Sequence, residues 1–91
     1  MTCFVVVDAT PVEPEFIAQY SAKAAETLVP FNGRFLAKGE VTVLHGEAAH
    51  PLKAIIQFPD QESAQNWYQS EAYQALIPVR NQGMISHFHL V

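Results

Sequence analysis

Two histidines near the end of the chain, His87 and His89, are separated by one residue. On a strand both imidazoles would share one face, because successive side chains alternate. Imidazole titrates near neutral pH, so the pair suits general acid–base chemistry. It equally suits imidazoles that satisfy one another, or water, at a subunit interface. A metal would need a third ligand, such as His45 or His50 from a second copy. Neither cysteines at zinc-site spacing nor a His-Glu-x-x-His helix is present, so no metal is expected.

Arg34 and Arg80 are the two arginines. Either could clamp a carboxylate through two parallel N–H bonds. An ion pair with Glu71, Glu62 or Asp8 is the more ordinary role. Tyr20, Trp67, Tyr68 and Tyr73 fall at helical spacings. Such aromatics usually build core, yet Trp67 and Tyr68 are adjacent and cannot both face a sheet fully. One of them can reach a cleft with its polar tip hydrogen-bonded. Gln57 adds an amide on a strand whose other residues are largely apolar. The candidate catalytic residues are therefore His87 and His89. The candidate binding residues are Arg34, Gln57, Tyr20, Trp67 and Arg80. No Gly-x-Gly-x-x-Gly, phosphate loop or Gly-x-Ser-x-Gly elbow occurs, and no cofactor is expected.

The elements that must position these groups follow from periodicity. Cys3 to Val7 is a continuous apolar run, which marks a strand buried on both faces. Pro14 suits a first helical turn, and Phe16, Tyr20, Ala24 and Leu28 then recur on one helical face until Pro30. Phe31-Asn32-Gly33 reads as a turn, with Gly33 the residue expected at positive φ. A strand begins at Arg34, breaks or bulges at Gly39, and resumes from Glu40 to His45. Another covers Ala54 to Phe58. Asp60 caps a short helix, Ser70 caps the next, and Pro78 distorts or ends that one. Gly83 allows the turn into a last strand, Met84 to Val91. There, Ser86, Phe88 and Leu90 oppose Ile85, His87, His89 and Val91. The order β-α-β-β-α-β predicts one α+β domain over residues 1–91, a ferredoxin-like antiparallel sheet with both helices on one face.

Composition sets the partners. The chain has 91 residues, of which 49% are hydrophobic and 15% charged. That is more apolar surface than a small monomer easily hides, so a homodimer packed sheet against sheet is expected. A net charge of -4 with five scattered basic residues argues against nucleic acid. No apolar run spans a bilayer, and Met1-Thr2-Cys3-Phe4 lacks the basic start of a signal peptide. Cys3, the one cysteine, reads as a reduced, buried thiol, and a cytoplasmic location is expected.

Asn32-Gly33-Arg34-Phe35-Leu36-Ala37-Lys38-Gly39, Val43-Leu44-His45-Gly46, Phe58-Pro59-Asp60 and Ala64 to Leu76, with the Trp67-Tyr68, Ser70 and Tyr73 pattern, resemble the domain of unknown function 1330 family. The resemblance covers nearly the whole chain. It implies membership of the dimeric α+β barrel group, whose relatives include cofactor-free monooxygenases and small-molecule isomerases. It supplies no reaction. His45 stands where the family usually has an acidic residue, and Asn32-Gly33 replaces a usual glycine pair. Two functions fit. One is a cofactor-free enzyme or binder of a small aromatic or acidic metabolite, held between sheet and helices or inside the dimer barrel. The other is a non-catalytic homodimeric module. The first requires a connected cavity with His or Arg at its wall; the second requires a barrel packed shut and both arginines ion-paired.

Overall fold

The computed structural model describes all residues, 1–91. Strand β1 (Cys3–Pro11) leads into α1 (Pro14–Leu28) and a short 3-10 helix (Val29–Phe31). Strands β2 (Arg34–Glu40) and β3 (Leu52–Phe58) follow. Three short helices, α2 (Gln61–Gln69), α3 (Glu71–Gln74) and α4 (Ile77–Gly83), lead to β4 (Met84–Leu90). The strands form one antiparallel sheet in the order β2-β3-β1-β4.

Burial alternates along β1. Cys3, Val5, Val7 and Ala9 point under the helices and are buried, while Phe4, Val6, Asp8 and Thr10 are half-buried on the open face. The core continues through Ile56 and Phe58 of β3 to Tyr20, Ala24 and Leu28 of α1, and to Ala64, Trp67, Tyr73 and Leu76. The free thiol of Cys3 is buried, and burial pushes its pKa up. No helix is long and apolar enough to cross a membrane.

Several local details depart from the sequence reading. Asn32 holds the left-handed conformation (φ 57°), not Gly33. Asparagine tolerates that region. Gly33 is required instead for space, since a Cβ there would lie 2.6 Å from Cε1 of Phe58. The bulge falls at Leu36, where the register passes from Phe35 opposite Ile56 to Ala37 opposite Ile55; Gly39 stays paired with Lys53. The strand ends at Glu40 and does not resume to His45. Val41 donates its N–H to the Pro51 carbonyl at 2.8 Å, but proline has no N–H to return the bond, and the ladder stops. Pro78 opens α4 rather than ending a helix, and α3 is a single turn.

The two caps are as expected. Ser70 Oγ accepts from the Tyr73 N–H at 3.2 Å, and Asp60 Oδ1 accepts from the Ser63 N–H at 2.7 Å. The Ser63 backbone bond holds the Asp60 carboxyl below its usual pKa. Its contribution to stability is therefore present above the ordinary carboxylate pKa, and is lost as pH falls through the lowered folded value. Asp60→Asn keeps a capping oxygen without the charge. The fall in melting temperature between about pH 7 and about pH 3 is expected to shrink in that variant. An unchanged fall would remove the Asp60 charge from the acid response.

Candidate functional site

Four helical segments bring their polar tips together beneath the sheet. Tyr20 comes from α1, Tyr68 from α2, Tyr73 from α3 and Arg80 from α4. The Tyr20 and Tyr73 hydroxyls are 2.6 Å apart. Arg80 Nη1 donates to Tyr68 Oη at 3.0 Å and to Tyr73 Oη at 3.2 Å. Arg80 Nε donates to Asn81 Oδ1 at 3.3 Å. The guanidinium carbon lies 4.9 Å from the Phe88 ring centre and 5.8 Å from that of Tyr68, within cation–π range. Lys53 with Asp8, at 3.1 Å, is the one ion pair of the chain, so neither arginine meets a carboxylate.

Burial pushes the pKa of both Tyr20 and Tyr73 up, and the mutual hydrogen bond adds to the rise at Tyr20. Both are neutral phenols, each with one proton. At Arg80 burial acts downward, but the bonds to Tyr68 and Tyr73 outweigh it, and the net shift is upward. The guanidinium is charged. The protons can then be counted. Arg80 occupies one lone pair of Tyr73. The Tyr20–Tyr73 contact uses one of the two phenol protons, and the other has no acceptor in the protein. Either hydroxyl can donate in that contact; with Tyr73 as the donor, a cooperative chain runs Arg80 to Tyr73 to Tyr20 and the free proton is on Tyr20. Tyr20 is 9% exposed and Tyr73 0% exposed, so bulk water does not readily satisfy it.

Tyr20 lines a cavity of about 320 Å³ between α1 and the sheet. Its walls are almost wholly apolar, including Val7, Ala24, Leu52, Ile56 and Phe88. A second cleft, about 530 Å³, runs along β4 against α2, and its lining includes Trp67, Tyr68, Arg80, Phe88, His87 and His89.

The sequence-predicted residues thus divide between the two faces of the sheet. Tyr20, Trp67 and Arg80 meet under the helices. Trp67 is core: it is 1% exposed, and its indole N–H donates to Thr27 Oγ1 at 2.9 Å. Arg34, Gln57, His87 and His89 lie on the open face, and His87 and His89 also line the β4 cleft together with Trp67 and Arg80. Arg34 Nη2 donates to Gln57 Oε1 at 3.2 Å, in an exposed pair. The His87 and His89 rings are stacked, 6.4 Å between centres, and His50 approaches His87 at 5.0 Å. His50 is held by Thr10 at 2.7 Å, which folds the 41–51 loop over one end of this face. No three of the histidine, cysteine and acidic side chains converge as a metal site. Tyr68, Tyr73 and Phe88 join the cluster without having been candidates. Tyr68 and Tyr73 are visible in the sequence only as helical aromatics.

A family model, Domain of unknown function (DUF1330), matches residues 2–91. The chain belongs to the DUF1330 family. No curated protein matches it. Among solved structures, the DUF1330 chain is similar to RPA0582, a protein of unknown function from Rhodopseudomonas palustris. The TM-score is 0.79 at 12% identity, over 99% of this chain and 80% of that one. It is also similar to SnoaB, a cofactor-independent oxygenase from Streptomyces nogalater. There the TM-score is 0.72 at 12% identity, over 99% and 90%. A dimeric ferredoxin-like protein of unknown function from Jannaschia sp. CCS1 matches with TM-score 0.67 at 16% identity, over 98% of each chain. At these identities the likeness establishes a shared α+β, ferredoxin-like fold, found in proteins described as dimeric.

Proposed function

We propose that this DUF1330 protein is a cytoplasmic homodimer that binds a small aromatic compound bearing a carbonyl or oxyanion oxygen. The ligand sits in the cavity between α1 and the sheet, with its oxygen on the Tyr20 hydroxyl. The observation that carries this reading is the buried Tyr20–Tyr73 hydroxyl pair, which holds two protons for one mutual bond, with Tyr20 at the wall of an apolar cavity. A buried donor left unpaired costs about 1–3 kcal/mol, and a ligand oxygen would remove that cost. The charged Arg80 behind Tyr73 polarises the chain, so a carbonyl placed there is activated without a cofactor. SnoaB supports cofactor-free chemistry on the same fold.

The non-catalytic module is disfavoured, because both arginines lack ion pairs and the cleft along β4 has Arg80, His87 and His89 at its wall. The dimer reading rests on the open face, where Phe4, Val6 and Ile55 are half-buried and Ile85 is 59% exposed. Packing this face on a second copy would enclose His87, His89, Arg34 and Gln57 in a barrel, where the two imidazoles could handle protons.

The test is a thermal-shift comparison of 1-tetralone with tetralin, which has the same shape without the carbonyl. The ketone is expected to raise the melting temperature, and the hydrocarbon to raise it less. The difference should vanish in Tyr20→Phe, which itself costs about 1 kcal/mol because the bond to Tyr73 is lost while one unpaired phenol proton replaces another. Equal shifts from both compounds would overturn the assignment.

A further inference from the structure

We propose that the cleft between α2 and β4 is a second binding site, for a small aromatic carboxylate held on the outer edge of Arg80. The observation is separate from the one that carries the inner cavity. A guanidinium has five N–H groups. Nη1 gives two hydrogen bonds to phenols and Nε gives one to Asn81. Nη2 donates to nothing in the protein, and no carboxylate lies within ion-pair reach. The side chain is half-buried between the Tyr68 and Phe88 rings.

A partly desolvated charge with unused donors is best compensated by an anion. A carboxylate matches the planar fork of arginine and its charge. The remaining walls select the rest of the ligand. Tyr68 and Phe88 offer aromatic surface with the buried Trp67 behind them, and Ser86 offers a hydroxyl beside it. The volume, about 530 Å³, is within the range of small-molecule sites. Arg80 is the one lysine or arginine among the residues lining the cleft, so the positive charge that would draw an anion is localised there.

Trp67 is the sole tryptophan and lines this cleft, so intrinsic fluorescence reports on occupancy. Sodium benzoate and its neutral counterpart benzamide are titrated at constant ionic strength. Benzoate is expected to give a saturable change, and benzamide to bind at least about tenfold more weakly. Arg80→Gln should weaken benzoate by at least about tenfold, and Arg80→Lys, with the charge but not the fork, by less. Tyr20→Phe should leave benzoate affinity within about twofold of the parent, which separates this site from the inner cavity. No saturable response to benzoate, equal affinity for benzamide, or undiminished binding in Arg80→Gln would overturn the proposal. Should Arg80→Gln fail to fold, wild-type affinity in Arg80→Lys would do so.

Discussion

Trp67→Ala is expected to lower the unfolding free energy by about 3–5 kcal/mol. The indole is 1% exposed and fills the junction between the sheet and the second half of the helical layer. Its ring centre lies 4.3 Å from that of Tyr73 and 5.4 Å from that of Phe58, two further side chains with no exposure. Rings at these distances are locked by one another, so the space left by truncation cannot readily collapse. A polar loss adds to the cavity. Thr27 Oγ1 accepts the indole N–H while donating to the Ala24 carbonyl at 2.7 Å. Without Trp67 that hydroxyl loses its donor partner. Urea unfolding checks the value, and a loss below about 1 kcal/mol would contradict the packing described here.

Gly33→Val is expected to destabilise by about 3 kcal/mol, at the upper end of overpacking costs. The cause is space rather than backbone angle. The new Cβ alone would lie 2.6 and 2.9 Å from two carbons of Phe58 and 3.0 Å from Cδ2 of Leu28. Both neighbours are core residues, Phe58 with no exposure and Leu28 with 3%. The adjacent Asn32→Gly provides the contrast. It occupies the left-handed position, which glycine accepts freely, and should change stability by under about 1 kcal/mol. Chemical melts of both variants decide between the two explanations. A harmless Gly33→Val would mean that the turn can move away from Phe58.

The faces of the strands were legible because their period is two. The one-residue gap between His87 and His89, and the run Ala54, Ile56, Phe58, assign sides directly. The tail of β2 was not legible. Residues Val41 to His45 have strand character, but the proline that meets them, Pro51, is identified only by the pairing register. The phenol cluster was hidden for a related reason. Tyr20 and Tyr73 are distant in sequence, and each alone looks like one more helical aromatic. The missing acceptor emerges only when both hydroxyls and Arg80 are placed together. Ion-pair partners for the arginines were plausible from composition. In the fold Asp8 is taken by Lys53 across the strands, while Glu62 and Glu71 are exposed on the outside of α2 and α3.

The most direct test of the unpaired phenol proton is a high-resolution crystal structure of the protein soaked with 1-tetralone. The ketone oxygen should lie about 2.6–3.0 Å from Tyr20 Oη, with the ring system between α1 and the sheet. A cavity left empty at saturating ketone, or a carbonyl turned away from both phenols, would contradict it.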